Sequence, residues 1–166
     1  WGFSVQSMSI DEQVATSNLI GDSMQGVNFF WQGEVNSLLL GAGAGFLIMD
    51  DKGSFDVDVT VIGGGDETRE AEASGMNFFA EVGYRHQIEK LNLDLLAGIE
   101  GINDSRSVSN CSNCPEEDLE IDAGAYLKPR VGYQMTDGFW MDLSYTAYTG
   151  GDLSNNLGLV FTFVTN

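Results

Sequence analysis

The feature that most constrains this chain is a period-two alternation of apolar and polar residues, repeated in segment after segment from residue 24 onward. Successive side chains of a strand point to opposite faces, so each such segment has one apolar and one polar side. In the clearest segment, Leu119, Ile121, Ala123, Ala125, Leu127, Pro129, Val131 and Tyr133 alternate with Glu120, Asp122, Gly124, Tyr126, Lys128, Arg130 and Gly132. Strands are predicted near 154–164, 138–149, 118–134, 90–102, 75–86, 54–62, 38–49 and 25–36, with residues 11–20 as a weak helical segment. Short turns at 50–53, 86–90 and 134–138 contrast with long acidic connections at 63–74 and 103–118. Eight strands joined in this way predict an all-β, closed antiparallel up-and-down barrel.

Alternation alone does not say which face points inward, but three physical arguments do. The interior of an eight-stranded barrel is just wide enough for side chains to fill, so glycines belong there. Gly83, Gly98, Gly124, Gly132 and Gly158 share a face with the charges rather than with the Leu and Phe set. That polar face also mixes signs, with Glu81, Asp94, Glu100, Glu120, Asp122 and Asp142 set against Arg85, Lys128 and Arg130. Buried charge is tolerated when it is paired, so these nine residues are read as an interior ion-pair network. Finally, the apolar face is too large to fit inside so small a barrel. The barrel is therefore apolar outside and polar within, with lipid as the natural neighbour of its outer face.

Composition narrows the function classes. Seven basic residues against 25 acidic ones leave a net charge of −18, which argues against a nucleic acid partner and against anionic lipid surfaces. Mean hydropathy is −0.07, and the longest apolar stretch, Leu38 to Met49, is far short of the ~20 residues a spanning helix needs. No signal peptide opens the chain, so an exported protein would already have lost it. Cys111 and Cys114 lie in a loop-like stretch and are expected to form a small disulfide, which implies an oxidising compartment. The acidic loops do not have EF-hand spacing, and the triple glycine at 63–65 is not followed by a helix with a lysine. Neither a metal nor a cofactor is expected.

The C-terminal run from Asn156 through Gly158, Phe161 and Phe163 resembles the assembly signal of outer-membrane proteins: a polar residue, a glycine two places on, then alternating hydrophobics. Three further residues, Val164 to Asn166, follow the aromatic that usually stands last. With the strand pattern, the resemblance is to the small eight-stranded bacterial outer-membrane barrels and covers roughly residues 25–166. It implies an outer-membrane or cell-surface location and a role as anchor, adhesion or resistance factor, narrow pore or lipid A-modifying enzyme. The enzymes of that group need a His with a Ser and an acid near the outer leaflet. The single His86 falls in a predicted periplasmic turn, so the chain is expected to be non-enzymatic, with a structural or surface-interaction role. A narrow pore and a soluble ligand-binding barrel are the weaker alternatives.

Residues 1–24 stand outside this scheme as an N-terminal extension. Phe3 and Val5 on one side and Met8 and Ile10 on the other form a further period-two segment, a ninth strand where such barrels have an even number. It is expected to be a tail, a luminal plug, or a strand donated to a neighbouring copy, which would build a homo-oligomeric filament. The expected partners are accordingly outer-membrane lipid or copies of the chain itself.

Overall fold

A computed structural model describes residues 1–52, 58–60, 66–68, 72–108, 114 and 116–164. Along the chain run β1 (Gly2–Ile10), α1 (Glu12–Ser17), β2 (Ile20–Val35), β3 (Leu38–Asp51), β4 (Asp58–Thr60), β5 (Asp66–Thr68) and β6 (Glu72–Ile88). They are followed by β7 (Leu91–Ser107), β8 (Glu116–Leu119), β9 (Ala125–Thr136), β10 (Phe139–Tyr148) and β11 (Leu153–Phe163). Each of β1, β2, β3, β6, β7, β9, β10 and β11 pairs antiparallel with its neighbour in that order, and β11 pairs back to β1. The result is the closed eight-stranded barrel that the alternation predicts.

Its membership differs from the expectation in one respect. Residues 2–10 are neither tail, plug nor donated strand. They are the first strand of the barrel, paired from Gly2↔Phe30 to Ser9↔Ser23 on one side and from Gly2↔Thr162 to Ile10↔Leu153 on the other. Met8 and Ile10 are buried inside, Val5 faces outward, and Phe3 stacks on Phe161. Without this strand, β2 and β11 would both expose unpaired edges, which is a strong drive to fill the slot from within the chain. Of the predicted strand at 54–62, the described residues 58–60 are correspondingly not part of the ring. Residues 58–60 pair only with 66–68, as a two-stranded sheet in the connection between β3 and β6. The turn predicted at 50–53 is where β3 ends and that long connection begins.

A second correction concerns the predicted strand 118–134, which is two strands. Asp104 lies opposite Leu119, whereas the register of Ile99↔Ala125, if continued, would place residue 120 there. A one-residue slip exchanges the two faces of a strand. Before the slip Leu119 and Ile121 are the buried residues, and Glu120 and Asp122 are exposed. After it Tyr126 and Arg130 are buried, and Leu127 and Val131 are exposed.

The two ends of the barrel are unlike. At one end lie three tight turns, Asn36–Ser37, Glu89–Lys90 and Asp137–Gly138, together with Trp1 and Phe163. Asn36 and Ser37 have φ of 50° and 67°, the left-handed pair that suits a two-residue hairpin between twisted strands. At the other end are α1, the β4–β5 sheet, β8 and the turn 149–152. Asp11 caps α1, accepting a hydrogen bond from the backbone N–H of Gln13 at 2.9 Å. Ala15 of α1 joins Met8, Ile10, Met24, Leu47, Met49, Leu119, Ile121 and Leu153 in an apolar cluster that closes the lumen at this end.

Outward-facing residues form an apolar band. On β7 it runs from Leu91 to Ile99, close to the ~9–11 residues of a membrane-spanning strand. Beyond it the outward positions become Asn103, Ser105 and Ser107. At the short-turn edge of the band, Trp1 stacks on Phe163 (4.6 Å between ring centroids), and Phe163 on Phe139 (5.1 Å). Aromatic rings at this level form the interfacial girdle characteristic of membrane barrels.

Candidate functional site in the lumen

Cross-strand register brings the inward charges together. Arg85 lies opposite Asp94 on β7, and Asp94 lies opposite Arg130 on β9, so two guanidinium groups flank one carboxylate. Arg85 grips Asp94 through Nε and Nη2, both at 2.9 Å, and reaches Glu34 through Nη1 at 3.0 Å. Arg130 donates to Asp94 Oδ2 from Nε (2.8 Å) and Nη2 (2.6 Å), and to Gln32 Oε1 at 2.7 Å. Charge-assisted bonds of this kind, bidentate between Arg85 and Asp94, offset part of the cost of taking the charges out of water. Asp142 sits beside them, accepting from Asn92 Nδ2 at 2.9 Å. The Trp140 ring closes this end of the network, with its centroid 5.8 Å from the Arg85 guanidinium carbon.

A second group lies toward the middle of the lumen. Lys128 pairs with Glu81, which also accepts from the Tyr126 hydroxyl at 2.9 Å. Glu100 accepts from Tyr148 at 2.6 Å and from Asn77 Nδ2 at 2.5 Å. Glycines make room for these bulky groups. A Cβ on Gly98 would sit 2.5 Å from the Tyr126 ring, and one on Gly43 would sit 2.6 Å from Phe79. Along β3, the residues packed over Gly41, Gly43 and Gly45 are Glu81, Phe79 with Phe30, and Asn28 with Asn77.

Seven of the nine residues predicted for the network thus point into the lumen: Glu81, Arg85, Asp94, Glu100, Lys128, Arg130 and Asp142. Glu120 and Asp122 do not, because the register slip turns them to solvent. Sequence reasoning did not assign Glu34, Gln32, Asn77, Asn92 and Tyr148 to the network, although all five lie at the inward parity of their strands. Of the assembly-signal residues, Asn156 is buried and bonded to Gln6, Gly158 sits against Ser144, and Phe161 and Phe163 face outward in the girdle. Cys111 lies outside the described residues, and with it the expected Cys111–Cys114 disulfide. His86 is exposed on β6 near the short-turn end, opposite Leu93.

The lumen is filled. Its central cavity has a volume of about 30 Å³, bordered by Arg130, by Glu81, Glu100 and Lys128 of the second group, and by Asn28, Ser144 and Asn156. Beyond the membrane band, Arg106 holds the end of α1, donating to the carbonyls of Asn18 (2.5 Å) and Leu19 (3.2 Å) and pairing with Glu117 at 3.0 Å. Near it, burial pushes the Asp104 carboxyl up to about 6. The neighbouring Asp118 and Asp122 add to the rise, against a hydrogen bond from the Ile121 backbone.

The fold is similar to that of two solved outer-membrane proteins. Neisserial surface protein A matches with a TM-score of 0.61 at 10% identity, over 98% of this chain and 94% of that one. Ail, the attachment invasion locus protein of Yersinia pestis, solved with the heparin analogue sucrose octasulfate, matches with a TM-score of 0.55 at 12% identity, over 98% and 93%. No curated protein matches the sequence. The sequence pattern of the outer membrane protein beta-barrel domain matches residues 2–163.

Proposed function

Since this chain belongs to the outer membrane protein beta-barrel domain family, we propose that it is a sealed, non-enzymatic barrel that anchors an acidic outer surface in the outer membrane. Its work is then structural, or lies in the contacts that this surface makes.

The observation that carries the proposal is the filled lumen. A cavity of about 30 Å³ between an apolar cluster and the Trp140–Arg85 closure supports a plug rather than a channel. The outer connections add the surface. Asp11, Glu12, Asp50, Glu116, Asp118 and Glu120 are exposed there, whereas the lumen carboxylates are largely matched by Arg85, Lys128 and Arg130. Such a field repels polyanions and favours cationic partners. The sulfated ligand seen with Ail is therefore of the wrong sign for this surface. Short turns face the periplasm and longer connections face outward in barrels of this kind.

Reconstitution into planar bilayers tests the sealed barrel. The expected record is flat at applied potentials where a porin conducts. Stable ohmic steps would instead assign the protein to the pores.

A further inference from the structure

We propose that Met8, Met24 and Met49 form a thioether site for one soft monovalent metal ion, of the copper(I) or silver(I) class, at the outer end of the lumen. The chain has six methionines. Met76, Met135 and Met141 are exposed, and the other three are buried within the barrel. Those three are not scattered. Met8 of β1 lies directly opposite Met24 of β2, and Met24 directly opposite Met49 of β3, so they form one transverse row across three adjacent strands. Cβ atoms paired in this way stand ~4.5–5.5 Å apart, and the curvature of so small a barrel turns inward side chains toward one another. All three belong to the same buried cluster. A methionine side chain has several rotatable bonds, which lets neighbouring sulfurs meet at one point.

Buried methionines commonly fill space, but this row has polar neighbours that a filler does not need. Gln6 donates from Nε2 to the Met8 sulfur at 3.9 Å, and is itself held by Asn156. Asn156 lies opposite Met8 on its other side, and its Oδ1 is buried without a hydrogen-bond partner among the described residues. The row thus runs from an amide oxygen through three sulfur electron-pair donors. Thioether sulfur selects soft ions such as copper(I), whereas calcium and magnesium take oxygen ligands. Zinc is held by thiolate, imidazole or carboxylate, and the row contains none of these. Its donors are all neutral, so a singly charged ion is the least costly to bury among them.

The test uses silver(I), which shares the preference for thioether sulfur and does not change oxidation state. The full chain in detergent micelles, with any free thiol alkylated, is titrated with silver nitrate in chloride-free buffer and read by native mass spectrometry. Met24→Leu, a swap that conserves volume, binds one silver ion fewer than the unmutated protein. Met141→Leu, which changes an exposed methionine, binds the same number. Equal silver binding by Met24→Leu and the unmutated protein overturns the site, and so does an unmutated protein that binds none. If Met24→Leu does not fold, silver-soaked crystals of the unmutated protein decide. An anomalous peak among the sulfurs of Met8, Met24 and Met49 supports the site, and its absence there refutes it.

Discussion

Asn156, in the last strand, donates from Nδ2 to the Oε1 of Gln6, in the first, at 2.8 Å, inside the seam where the two ends of the chain close the barrel. The same seam is covered on its outer face by the stack of Phe3 on Phe161. A polar clasp within and an aromatic clasp outside make β1 the partner of β11, and three predictions concern how the closed barrel is held.

Deleting residues 1–10 removes the strand that satisfies β2 and β11 together. The truncated protein is expected to fail to fold in detergent and to lose the heat-dependent shift in gel mobility. The point change Asn156→Leu strands the Gln6 carboxamide inside and should cost ~1–3 kcal/mol. A truncated protein that keeps the mobility shift would remove β1 from the ring.

Arg130→Met leaves Asp94 with Arg85 alone and Gln32 without its donor. The expected loss is ~3–5 kcal/mol, measured by urea unfolding into or out of lipid vesicles. Leu127→Met, three residues away on the lipid face of the same strand, should change stability by less than ~0.5 kcal/mol. Similar losses for both would contradict the face assignment.

Gly43→Val places its Cβ 2.6 Å from Phe79 Cζ and 2.8 Å from Phe30 Cβ. Overpacking of this kind costs ~1–3 kcal/mol. At Gly101 a Cβ meets nothing within 4 Å, so Gly101→Val should be tolerated. Comparing their unfolding midpoints separates glycines that make room in the lumen from those that do not.

Asp104 makes the outer end sensitive to pH. Its carboxyl titrates near 6 in the folded protein, against roughly 4 in an unfolded chain. The folded state therefore binds the extra proton between those values, and the stabilising contribution is fully present below about pH 4 and is lost as pH rises through 6. Hydrogen exchange at Ile121 and along α1 should quicken across that window, and Asp104→Asn should abolish the change. An unaltered pH profile in Asp104→Asn would place the sensitivity elsewhere.

Much of the molecule was legible before its structure. Period two marks the strands because the two faces of this wall meet different surroundings, and each side chain's chemistry records which one it meets. Glycine parity likewise exposed the lumen, since only there is space short. That is why Arg85, Asp94, Lys128 and Arg130 could be placed inside from their position in the alternation alone. Parity, however, is a property of one strand at a time. Whether 2–10 or 54–62 completes the ring depends on which of them has two neighbours to bond, and those neighbours are distant in the chain. The slip between β8 and β9 is of the same kind. A single residue of register against β7 sends Leu119 and Ile121 into the apolar cluster and Glu120 and Asp122 out to water. Local pattern determined that this chain is a barrel and which way its faces point; only pairing across the sheet decided which segments form the wall and which carboxylates lie inside it.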